Sequence, residues 1–128
     1  MTTNEQVFQQ ALKMEGWAYC AYDCKCNRLA SEACRATDCS GHIYQALKWA
    51  GYPMSGVPTI SRYQYKWGAN AGLAVSRDKA IHTRGALLFV ANIFGVIGHV
   101  EFSVGDGLRS FGETGHSNNP YACKYSYI

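Results

Sequence analysis

The strongest helical signal in this chain is Thr37-Asp-Cys-Ser-Gly-His-Ile-Tyr-Gln-Ala-Leu-Lys-Trp49. Its apolar side chains recur at i, i+4, i+7 and i+8 from Cys39, so they line one face of a helix. Asp38 is a natural N-cap, and Gly51 and Pro53 end the run. We therefore predict a helix over Asp38–Trp49 whose apolar face packs on the core and whose first turn carries a cysteine.

Cys39 in this first turn is a candidate nucleophile. Unpaired backbone N–H groups and the positive end of the helix dipole both favour a thiolate over a thiol there. Gly41 leaves room for the backbone of a substrate to approach. The alternative is that Cys39 is a small buried hydrophobic residue with no chemical role.

A nucleophilic cysteine needs a base from elsewhere in the fold, and the chain has four histidines. His42 lies on the same helix as Cys39, where side chains diverge outward, and His82 lies in a polar stretch typical of a surface. His99 opens a strictly alternating segment, so the pleat of a strand would fix its ring direction. We predict His99 as the base; the alternative is a polar residue at a sheet edge.

Helical spacing predicts two further helices before the midpoint of the chain. One begins with Thr3 as its cap and ends at Gly16. A shorter one covers Pro58–Trp67 and packs through Ile60, Tyr63 and Trp67.

The last third of the chain changes to strand patterns around a hairpin turn at Gly105-Asp-Gly107. Predicted strands cover Ala86–Val90, His99–Val104, Arg109–Phe111 and Tyr121–Tyr127. Helices followed by a run of strands indicate an α+β fold with an antiparallel sheet. A length of 128 residues predicts a single domain over 1–128.

Composition excludes several classes of protein. Hydrophobic residues make up 48% and charged residues 16%, which is the reverse of a disordered chain. The net charge is +3 and the basic residues are scattered, so nucleic acid is not an expected partner. The apolar runs fall well short of the roughly 20 residues of a membrane span, so stable membrane insertion is not expected either.

Several short segments resemble the NlpC family of papain-like cell-wall peptidases. They are Gly16-Trp-Ala-Tyr19, Thr37-Asp-Cys-Ser-Gly41, Val57-Pro-Thr-Ile-Ser61 with Gln64, Gly85-Ala-Leu-Leu-Phe89, Gly98-His-Val100 and Gly105-Asp-Gly107. Together they cover most of the chain in the order of that family. The resemblance implies a papain-like NlpC-type fold in which the nucleophile helix packs on an antiparallel sheet. It implies Cys39 as nucleophile and His99 as general base.

The resemblance also assigns Tyr19 to the oxyanion site, where its phenol O–H and the Cys39 backbone N–H could both donate. Ordinary aromatic packing is the alternative for Tyr19, and Tyr22 takes its place if the register differs.

A third polar residue that orients the base is harder to place. The family carries it on the strand after the Gly-x-Gly turn, where strict spacing gives Phe111 or Gly112. An insertion of one residue relative to the family would place Glu113 at that position, and a longer insertion would place His116 there. We predict Glu113, whose carboxylate would fix the His99 tautomer. Glu101 shares the face of His99 but is displaced along its strand, so we expect it less.

Five of the six cysteines remain once Cys39 is set aside. Cys20, Cys24, Cys26 and Cys34 crowd ahead of the nucleophile, in a spacing that is not a standard zinc motif. A structural zinc site, one or two disulfides, and free thiols all remain open. The resemblance implies no cofactor for catalysis.

These observations predict a thiol hydrolase acting on the stem peptide of peptidoglycan. The resemblance implies an endopeptidase, typically at a D-amino-acid bond, or an N-acetylmuramoyl-L-alanine amidase. Residues 1–6 lack the basic and apolar regions of a secretory signal. We therefore expect a bacteriophage endolysin that reaches the wall through a holin-type pore, or a protein delivered by another route. The alternatives are a metal-stabilised binding module without catalysis, and a Cys/His transferase or deamidase on another substrate.

Overall fold

The computed structural model describes residues 2–19, 35–116 and 119–128, with only the backbone of 115, 116 and 119–122. These residues form four helices in addition to the strands of a sheet. The helices are α1 (Asn4–Leu12), α2 (Cys39–Trp49), α3 (Ser61–Asn70) and α4 (Arg77–Ile81). Thr3 caps α1 through a reciprocal capping box with Gln6, as its position predicts. Asp38 caps α2, which confirms the predicted start of the nucleophile helix.

Six strands form one sheet in the order β2-β1-β6-β5-β4-β3. They are β1 (Ala18–Tyr19), β2 (Ala36–Thr37), β3 (Leu87–Ala91), β4 (Ile97–Ser103), β5 (Arg109–His116) and β6 (Asn119–Tyr127). Strands β3 to β6 pair antiparallel, as predicted. The short β1 and β2 pair parallel to each other, which the strand pattern does not reveal because each has two residues.

The core lies between the helices and the sheet. Phe8 of α1 meets Phe102 of β4 and Phe111 of β5 edge-on, with ring centroids 6.2 and 6.0 Å apart. Helix α2 packs on β4 and β5 through its apolar face, and Ile43 is fully buried there. The predicted α+β class and the packing of the nucleophile helix on an antiparallel sheet are both confirmed.

The predicted packing face of α3 is wrong in part. Ile60 and Tyr63 are 38% and 44% exposed, while Ser61 and Gln64 are buried. The reason is that Gln64 donates a buried hydrogen bond to Ser40 of α2 and a partly buried one to Pro58, so this polar side of the helix turns inward. Trp67 is half-buried against Tyr52, as the pattern predicts for an aromatic packing residue.

The β3–β4 hairpin ends in an exposed apolar tip. Ile93 and Phe94 are 93% and 83% exposed. The Asn92 side chain holds the turn, since its Oδ1 accepts from the backbone N–H groups of Phe94 (2.8 Å) and Val96 (3.1 Å). The conformation of the tip therefore depends on Asn92 and not on the two apolar side chains.

Candidate active site

Cys39 is the first residue of α2 and is buried, with 7% of its surface exposed. Asp38 adopts the extended conformation of an N-cap, and its Oδ1 accepts from the backbone N–H of Gly41 at 2.6 Å. The Ser40 hydroxyl donates to the same oxygen at 3.4 Å. The residues on either side of Cys39 therefore stabilise the helix turn that carries its sulfur.

Gln64 of α3 stabilises the first turn of α2 by hydrogen bonding. Its Nε2 donates to the carbonyl oxygen of Ser40 and to that of Pro58, each at 3.1 Å. Gln64 is fully buried, so the bond to Ser40 is shielded from water, while the bond to Pro58 is partly buried. The sequence carried a signal for Gln64 in the segment that resembles the NlpC family, but not for its contact with the nucleophile turn.

His99 lies on β4 opposite Val90 of β3, with its side chain 26% exposed. Burial lowers the pKa of His99, but hydrogen bonding to Cys39, contact with Glu101 and attraction to both outweigh this and raise it to about 9. A histidine with this pKa is an imidazolium at neutral pH. The structure thus brings the two predicted residues, Cys39 and His99, together by a side-chain hydrogen bond at the start of α2.

Glu101 is the carboxylate beside the His99 ring. Its Oε2 lies 3.1 Å from His99 Nε2, and its side chain is 13% exposed. The ring N–H is not aimed at this oxygen, so the contact is an ion pair by distance and not an aligned hydrogen bond. The structure therefore places Glu101, and not the predicted Glu113, against the base.

Glu113 is fully buried on β5, beside Cys123 of β6. Neither of its carboxyl oxygens has a hydrogen-bond partner among the described residues. Burial, with the negative charges of Asp38 and Cys39 nearby, raises the pKa of Glu113 to about 9. At neutral pH this carboxyl group is protonated, so it lacks the charge that the predicted orienting role requires.

His42 and His82 do not approach Cys39 as a base would. His42 is fully buried; its Nε2 lies 3.1 Å from the carbonyl oxygen of Ala11, and its ring meets Phe102 and Phe111 edge-on. Burial lowers the pKa of His42 to about 4, so the ring stays neutral. His82 is exposed and contacts the carbonyl oxygen of Asp78 at 2.8 Å. Only the backbone of His116 is described.

Tyr19 lies on β1 with its backbone paired to Thr37, two residues before the nucleophile. Its side chain is half-buried, and the oxyanion role stays a prediction. Tyr22 and the four cysteines for which zinc, disulfides and free thiols remain open, Cys20, Cys24, Cys26 and Cys34, lie outside the described residues. In the ranges 2–19, 35–116 and 119–128, no group of three His, Cys, Asp or Glu side chains could hold a metal ion.

The fold is similar to that of a solved P60 domain. The crystal structure of the P60 domain from the M. avium subspecies paratuberculosis antigen MAP1204 superposes with a TM-score of 0.68 and 22% sequence identity. The match covers 98% of this chain and 85% of that chain. The predicted NlpC-type fold is therefore confirmed. No family model matches the sequence, and no curated protein matches it.

In the part of the chain that the structure describes, no helix has the length and apolar character needed to cross a bilayer.

Proposed function

We propose that this chain is a cysteine hydrolase that cleaves an amide bond in the stem peptide of bacterial peptidoglycan. The observation that carries the proposal is the pairing of Cys39, at the capped N-terminus of α2, with a protonated His99 on β4. The fold shared with a P60 domain supports a cell-wall substrate.

The chemistry follows from the charges of this pair. The Cys39 thiolate attacks the carbonyl carbon of the amide, and backbone N–H groups at the start of α2 are available to the developing oxyanion. His99 then donates its proton to the leaving amine as the C–N bond breaks. Neutral His99 next takes a proton from water, which attacks the thioester and releases the acid and free Cys39. Tyr19 is proposed as a further oxyanion donor.

The bond is proposed from the sequence resemblance. It is either a peptide bond next to a D-amino acid in the stem peptide or the bond between N-acetylmuramic acid and L-alanine. The same resemblance suggests a bacteriophage lysin as the biological setting. Expression in a bacterial host with and without a co-expressed membrane pore tests that setting, because a lysin of this kind lyses the host only when the pore is present.

Digestion of purified peptidoglycan followed by mass spectrometry of the fragments tests the activity. We expect fragments that have gained one water at an amide bond, and the position of the new carboxyl group identifies the bond. C39A and H99A should abolish these fragments, whereas C123A, which removes a buried thiol that contacts His42 and not the reacting pair in the proposed chemistry, should retain them.

Four results would contradict the proposal. Full digestion by C39A would exclude Cys39 as the nucleophile. Loss of ammonia without chain cleavage would indicate a deamidase, and joined fragments without added water would indicate a transferase. Binding to peptidoglycan with no change in the fragments would indicate a binding module.

A further inference from the structure

We infer that Glu101 is the residue that positions His99, and that Gly112 on the neighbouring strand makes room for it. This inference rests on the proposed function, since it concerns how the base of that reaction is oriented. It moves the orienting group from β5, where the sequence resemblance implies it, onto the strand of the base itself.

The pleat of β4 brings the two side chains together. Residues two apart on a strand point to the same face, about 7 Å apart along the chain. The Glu101 side chain is long enough to span that separation, and its Oε2 reaches 3.1 Å from Nε2 of His99. With 13% of the Glu101 side chain exposed, water screens this pair only weakly.

Gly112 provides the space for this arrangement. Because Phe102 pairs with Phe111 and Ser103 with Ser110, Glu101 lies opposite Gly112 across β4 and β5. A Cβ atom at position 112 would lie 2.9 Å from Cγ of Glu101 and 3.2 Å from its Cβ. Any side chain at 112 would therefore displace Glu101 from the His99 ring. Glycine weakens a strand interior, and a close approach by another group is a usual reason for it.

Ser110 fixes the second oxygen of the carboxylate. Its hydroxyl donates to Oε1 of Glu101 at 3.3 Å, which leaves Oε2 directed at His99. The two oxygens thus have different partners on β5 and β4, and the plane of the carboxylate is set by both. A carboxylate held in this way can stabilise the imidazolium and fix the ring against Cys39.

An NMR titration of the His99 imidazole tests the inference without any substrate. In the wild-type protein we expect this ring to titrate near pH 9. E101Q removes the negative charge but keeps the shape, and we expect the titration to move down by about 1 pH unit. G112A retains the carboxylate but displaces it, so it should move the titration in the same direction by a smaller amount. E5Q is the matched control, because Glu5 is an exposed carboxylate paired with Arg84.

An unchanged His99 titration in a folded E101Q protein would overturn the inference. If E101Q fails to fold by circular dichroism, G112A decides, and an unchanged titration there would have the same meaning. Peptidoglycan hydrolysis gives a second readout: the alkaline limb of kcat should shift to lower pH in both variants, with KM nearly constant. If no hydrolysis occurs in any variant but the titrations shift as expected, the proposed function fails and the role of Glu101 on His99 stands.

Discussion

The side-chain nitrogen of Gln64 lies 3.1 Å from the carbonyl oxygen of Ser40, the residue that follows the nucleophile. This bond joins α3 to the first turn of α2 inside the protein, where both groups are shielded from water. The position of the Cys39 sulfur therefore depends on a helix that contributes no reacting atom.

Replacing Gln64 tests this dependence. Q64A removes the hydrogen bonds to Ser40 and Pro58, and we expect it to lower the free energy of unfolding by about 2 kcal/mol. We also expect a lower kcat, because the turn that carries Cys39 loses its outer support. Urea denaturation and peptidoglycan hydrolysis measure the two effects. Q9A, which removes an exposed amide bonded to Glu5, should leave both unchanged.

The N-cap of α2 can be altered without touching the sulfur. D38A leaves the Gly41 N–H without its side-chain acceptor, and we expect a loss of about 1 kcal/mol in stability. The rate of Cys39 alkylation, followed by peptide mass spectrometry, should fall as the turn frays. D38N can still accept the same hydrogen bond, so it should recover most of the stability. A D38A protein as stable as the wild type would show that the cap contributes little.

Burial of Glu113 predicts that stability falls as pH rises. The pKa of this carboxyl group is 4.5 when unfolded and about 9 when folded, so between these values the unfolded chain is ionised and the folded chain is not. The unfolded state then binds fewer protons, and the free energy of unfolding decreases with pH over this range. E113Q should flatten this decrease and raise the Tm at pH 8. Thermal melts from pH 5 to pH 9 measure it, and parallel curves for the two proteins would argue against a protonated Glu113.

His42 predicts the opposite dependence in acid. Its pKa is 6.5 when unfolded and about 4 when folded, so the unfolded chain takes up a proton first as pH falls. Stability should therefore be lost between about pH 6.5 and pH 4. H42L fills the same buried position with an apolar side chain that does not titrate, so the stability of this variant should change less over this pH interval. H82N, at an exposed position, is the control and should follow the wild-type curve.

The helix that begins at Cys39 and the strand that carries His99 were predictable because each depends on local pattern. The spacing around Cys39 indicates a helix, the alternation after His99 indicates a strand, and both lie where these patterns place them. Identification of the carboxylate required the register between β4 and β5, which sequence spacing cannot supply. That register places Gly112 opposite Glu101 and turns Glu113 into the core.

The inward face of α3 could not be predicted for a related reason. Periodicity ranks Ile60 and Tyr63 above Gln64 as packing residues, because it weighs only apolar character. The structure reverses the order because Gln64 has two carbonyl partners, Ser40 in the interior and Pro58 in a partly buried position. Buried polar contacts of this kind depend on the tertiary fold, not on the spacing of residues in one segment.

The apolar tip of the β3–β4 hairpin has a practical consequence for work at the high concentrations that NMR requires. Ile93 and Phe94 present nearly their whole side chains to solvent, so they favour self-association of the purified protein. Since Asn92 alone shapes the turn with its side chain, both positions can be made polar without disturbing the strands. A variant of this tip gives a better-behaved sample in which to follow the His99 ring.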